Sequence, residues 1–210
     1  MSANETEAEI QDEIKETQRL EAFSDGVFAI AITLLVLEIR LPAGEGEEGG
    51  LLAHLLEIWP MYLAYIVSFM VIGIMWANHD ALLKDIKRAN RPFVLLNVVL
   101  LMLITFLNFP TVVMAEHLQK PDANVAALFY SGTLFVIAIM YNAIWWYAVA
   151  NQGLFGAKVE RAWLDKITRQ YRYGPIYYLL AVVVAFFSPF LSLLICLGLA
   201  VYFALTGRRE

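Results

Sequence analysis

The chain has 210 residues, of which 60% are hydrophobic and 17% charged, and its formal net charge is -5. That much apolar surface exceeds what a soluble core of this length could hide, so the composition indicates an all-α protein that crosses a membrane several times. The single cysteine, Cys196, excludes a disulfide within the chain, and with no phosphate-cradling loop and no basic face, neither a nucleotide cofactor nor a nucleic-acid partner is expected.

Residues 1–18 form an acidic, polar opening segment with neither a basic n-region nor a small-residue cleavage site, so no removable signal peptide is expected. The first apolar span, about 19–40, is unusual. It carries Arg19, Phe23, Ser24 and Asp25 at its entrance and only twelve uncharged residues, 26–37, before Glu38. A helix facing lipid needs roughly 20 apolar residues to cross about 30 Å of hydrocarbon. A shorter span that holds charge belongs inside a bundle, against protein or water.

At about 100° per residue, Arg19, Phe23, Gly26, Ile30, Thr33, Leu34 and Leu37 fall within about 60° of one line, and Ser24 and Asp25 point away from it. One such helix cannot enclose a pathway alone. If several first helices pack around that stripe, Ile30 and Leu37 make apolar constrictions able to gate by dewetting, and Thr33 offers hydroxyl oxygens between them. Gly26 and Leu34 share the stripe. Ser24 and Asp25 then need polar partners in the protein, because an unpaired carboxylate is costly in a membrane.

The next segment, residues 44–50, is acidic and Gly-rich and reads as a flexible linker that could also concentrate cations, and residues 51–57 could add a short helix before Pro60. The second span, about 58–83, brings Trp76, Asn78 and His79 to the depth of Asp25, which makes a link from Asp25 to His79 or Trp76 the expected lock between the first two helices. The third span covers about 91–116 and the fourth about 124–150, after which Asn151, Gln152 and Gly153 read as a loop. Residues 158–171 suggest an amphipathic helix at the interface, with Trp163 and Ile167 four apart.

The final run, 173–207, would be about 52 Å long as one helix, too long for any bilayer. Pro189 breaks it into spans at about 172–188 and 189–207. Six spans put both termini in the cytoplasm, with thirteen Lys and Arg residues inside against Arg40 and Lys120 outside. The six-span unit is a single domain, 19–207. Histidines 54, 79 and 117 are far apart and no cysteine pair accompanies them, so neither a metal centre nor an enzyme is expected. A proton-coupled or other secondary transporter is the alternative to a channel, but the spans beyond the first lack mid-membrane ionisable residues.

The motif Arg19-Leu20-Glu21-Ala22-Phe23-Ser24-Asp25 and the helix that follows it resemble the first-helix signature of the transmembrane protein 175 family of potassium channels. Trp76-Ala77-Asn78-His79 is similar to the family's second-helix Trp-x-x-His feature. With one six-span unit, the chain resembles the prokaryotic branch. The resemblance implies a potassium-permeable leak channel in a cell membrane: a homotetramer whose four first helices line a central pore, with Ile30 at a constriction and Thr33 and Leu37 further out. A potassium ion would pass close to Thr33. The resemblance also assigns Arg19, Phe23, Ser24 and Asp25 to a network with Trp76 and His79 that holds the pore helices.

Overall fold

In the computed structural model, which describes residues 3–41, 50–155 and 161–206, the chain is a bundle of eight helices among the described residues. They are α1 (Ala3–Leu34), α2 (Gly50–Glu57), α3 (Trp59–Asp85), α4 (Arg91–Phe106), α5 (Asn108–His117), α6 (Ala123–Ala150), α7 (Arg161–Ala185) and α8 (Pro189–Thr206). Four stretches are long and apolar enough to cross a membrane: Thr17–Glu38, Trp59–Asp85, Arg91–His117 and Ala123–Ala150. Pro189–Leu205 is a shorter apolar helix.

Several boundaries differ from the sequence expectation, each for a local reason. Helix α1 starts at Ala3 and so runs through most of the polar opening segment, whose Ala, Glu, Gln and Lys residues are good helix formers. It tightens into a 3-10 turn, Leu35–Glu38, as it leaves the apolar stretch. The third run is two helices, because Pro110 cannot give the N–H that Phe106 would accept four residues back, and the helix is interrupted at Leu107, whose own backbone stays helical. Helix α7 begins eleven residues before the span expected at 172, so most of the expected interfacial helix is its first half. Ile167 is buried and Thr168 accepts a hydrogen bond from the Trp145 indole at 3.0 Å, so this half packs on α6 instead of lying apart at an interface. The acidic segment 42–49, residues 156–160 and the final residues 207–210 lie outside the described residues, and with them the expected linker and the closing arginines.

Helix starts follow local chemistry. Asn90 caps α4 by accepting from the Phe93 N–H at 3.1 Å, and prolines occupy the first turns of α3 and α4, where their missing donor has no helical partner to lose. The connections fix which ends lie together. Lys87 N–H donates to the Leu154 carbonyl at 2.8 Å and Ile86 bridges Phe155, which ties the α3–α4 link to the α6–α7 link at one end of the bundle. At the other end, the Asn124 amide donates to the Phe186 carbonyl at 2.7 Å, joining the start of α6 to the α7–α8 turn.

Helix α6 is the central post. It contacts α4, α5, α7 and α8 and buries Tyr130, Leu134, Ile137, Ile144 and Trp145. Helix α1 lies at one side, against α3 and α4. Its inward face, Leu20, Ser24, Phe28, Ala31 and Leu35, repeats at three- and four-residue spacing and is buried. Within a membrane this docking is held by close packing of Phe28 and Leu35 and by hydrogen bonds between helices, not by removal of apolar surface from water.

Candidate functional site

The polar residues of α1 meet α3 and α4 at the end of the bundle that holds the α3–α4 link. The Ser24 hydroxyl donates to the Leu20 carbonyl at 2.7 Å, a local bond that uses its one proton. It must therefore accept from the Asn97 amide, 2.9 Å away on α4. That turns the Asn97 Oδ1 toward His79, so the Nε2 of His79 carries a proton and donates across 2.7 Å. The result is a directed chain, His79 to Asn97 to Ser24 to the Leu20 carbonyl, through three helices whose side chains are buried. The Phe28 ring covers His79, with ring centroids 5.4 Å apart.

A second link runs along the surface beside this chain. The Trp76 indole N–H donates to Asp25 Oδ1 at 2.8 Å. Of the two partners expected for Asp25, the structure brings Trp76 to it and gives His79 to Asn97. One turn of α3 thus faces α1 with both groups, since Trp76 and His79 are three residues apart. Asn78 does not join them. It sits about 100° around the helix from His79 and lines a cavity on the opposite side of α3.

The other expected residues of α1 lie on its uncovered side. Arg19, Phe23, Gly26, Ile30, Thr33, Leu34 and Leu37 are all exposed in the single chain, Ile30 at 59% and Leu37 at 63%. Arg19 and Phe23 therefore share a face with Ile30 and make no hydrogen bond to the Ser24 chain among the described residues. Thr33 donates its hydroxyl proton back to the Ala29 carbonyl at 2.9 Å or to that of Ile30 at 3.0 Å, so its oxygen presents lone pairs outward. Among the described residues no cluster of three His, Cys, Asp or Glu side chains is placed to hold a metal ion.

Sequence reading missed two polar groups. Asn97 is the centre of the buried chain, and the signal was its amide inside an otherwise apolar stretch of a span, which requires a partner. Deeper in the bundle, the Thr111 hydroxyl donates to the Leu107 carbonyl at 2.8 Å, accepts from Ser68 at 2.8 Å, and Ser68 in turn accepts from the Tyr130 hydroxyl at 3.1 Å. This junction pins α3, α5 and α6 where the proline interrupts the helical hydrogen bonding.

The comparisons with known proteins bear on the family and the fold. Residues 19–108, which hold the motif, Trp76, His79 and Asn97, match the family model described as the endosomal/lysosomal potassium channel TMEM175. A potassium channel of Chamaesiphon minutus is 48% identical over 93% of this chain and 97% of its own length. One from Streptomyces collinus is 40% identical over 90% of this chain and 92% of its own. The crystal structure of a lysosomal potassium-selective channel TMEM175 homolog from Chamaesiphon minutus superposes with a TM-score of 0.84 at 46% identity, covering 93% of this chain and all of that one. The family match, the shared fold and the near-complete coverage make this chain a multi-pass membrane protein of the TMEM175 family.

Proposed function

We propose that the protein is a potassium-permeable leak channel of a cell membrane, built from four copies that gather around the uncovered stripe of α1. The observation that carries this reading is the division of α1 into two faces. Its polar and bulky inward residues are spent on α3 and α4, and the stripe from Arg19 to Leu37 has no cover within its own chain. Four such stripes would stack a ring of Phe23, rings of Ile30 and Leu37 as constrictions, and outward-facing Thr33 oxygens between them for a passing potassium ion. Gly26 and Leu34 would line the same path.

In this arrangement each subunit spans the bilayer six times with both termini cytoplasmic, α7 and α8 contributing the last two crossings. Ser24, Asp25, Trp76 and His79, with Asn97 added, hold α1 to its own subunit and so fix the rotation of the stripe. Arg19 and Phe23 are better assigned to the cytoplasmic mouth of the path than to that lock. An isoleucine ring cannot replace an ion's hydration shell, so Ile30 acts by sterics and dewetting. Potassium-gradient-driven flux into sealed vesicles tests the function. Passive, unsaturated potassium flux that needs no proton gradient is expected; saturable flux driven by a proton gradient would make the protein a transporter.

A further inference from the structure

A cavity of about 100 Å³ lies between α3, α6, α7 and α8, on the side of α3 away from α1. Its walls are mostly apolar, with Ile74, Leu134, Ile137 and Ala138 among them, and among the described residues no charged side chain lines it. Yet it is not uniformly apolar. Tyr171, Tyr178 and Asn78 are among its lining residues and their side chains make no hydrogen bond among the described residues, whereas the hydroxyl of Tyr141, another lining residue, is spent on the Met75 carbonyl at 2.8 Å.

An apolar chamber whose lining includes unspent tyrosine and asparagine side chains suits a small guest with an apolar body and one polar head, and because the chamber is partly open, an aryl guest larger than its about 100 Å³ can extend through the opening. With no countercharge among the described lining residues, an uncharged guest is favoured over an ion. We propose that this cavity binds a small uncharged amphipathic molecule, an aryl or short alkyl body carrying one hydroxyl or carbonyl, and that its occupancy regulates flux. The regulatory part rests on the channel reading. Its route is one turn of α3, which turns Met75 and Asn78 to the cavity and Trp76 and His79 to α1 and α4. A guest that shifts this turn alters the hold on the pore helix.

4-Fluorophenol at pH 7 is the probe, followed by fluorine NMR on the purified detergent-solubilised assembly and by potassium flux from vesicles. Ala138→Leu fills the chamber. Gly174→Ala is a gentler filling, since its new Cβ would stand 3.6 Å from the Phe203 ring and 3.8 Å from the Asn142 amide, ordinary contacts that the fold accommodates. Saturable binding is expected in the native protein, weakened at least about tenfold by Ala138→Leu, more mildly by Gly174→Ala, and about threefold to tenfold by Tyr178→Phe, which removes one hydrogen bond. Flux should change with the same dose dependence and lose that response in the filled variants. Non-saturating uptake equal in native and Gly174→Ala protein overturns the site. Saturable binding with unaltered flux overturns the regulation and leaves the site, and saturable binding by a protein that conducts nothing overturns the channel reading instead.

Discussion

At the scale of single residues, the protein depends on hydrogen bonds that have only one consistent direction. Because Ser24 gives its proton to Leu20, every donor and acceptor back to His79 is determined. Asn97 is the one member that both gives and receives between side chains. Asn97→Leu strands the buried His79 N–H and removes the donor to Ser24, so it should destabilise by about 1–3 kcal/mol. Ser24→Ala strands only one amide proton of Asn97 and should cost less, an order that thermal unfolding of the detergent-solubilised protein will check. Asn97 could be read from sequence as a polar residue needing a partner, but not as the bridge. Which helix answers a buried amide depends on rotations that a single helical wheel does not contain.

On the same scale, Ile30 and Ile32 separate the two faces of α1. Ile30 is exposed and Ile32 is half-buried against the core, about 160° around the helix. Ile30→Asn should wet the proposed constriction and raise sodium permeation relative to potassium, whereas Ile32→Asn leaves ion preference nearly unchanged. Bi-ionic reversal potentials read the difference, and a shift for Ile32→Asn alone would move the path to the other face.

At the scale of elements, helix type and the break at Pro189 were legible because apolar length, proline and charge are local properties. The starts of α1 and α7 were not, since a polar helix continuing an apolar one leaves no charge-free edge to find. Nor was the break at Leu107 resolvable from Pro110 alone, because a proline in a span can kink, break or be tolerated depending on its neighbours. Here the neighbours are Ser68, Thr111 and Tyr130. Ser68→Ala takes the acceptor from the fully buried Tyr130 hydroxyl and should cost about 1–3 kcal/mol. Tyr130→Phe removes only the terminal donor, leaves the Ser68-to-Thr111 bond intact and should cost less. Unfolding midpoints of the two variants in one detergent will test whether the junction is directional as described; a larger loss for Tyr130→Phe would reverse the assigned direction.

At the scale of the whole molecule, a single chain presents α1 at the side of its own bundle with its stripe uncovered. A pathway along that stripe requires further copies, so the detergent-solubilised protein should have the mass of four chains; a monomer that conducts after reconstitution would contradict the assembly. The pathway itself is tested most directly by cysteine substitution on α1, because the one native thiol, Cys196, is buried and gives little background. With Thr33→Cys and Ile32→Cys proteins in vesicles, a water-soluble thiol reagent should abolish potassium flux through the first and leave the second unaffected. Block at position 32 with none at position 33 would contradict the account and place the water-filled path on the opposite face of α1.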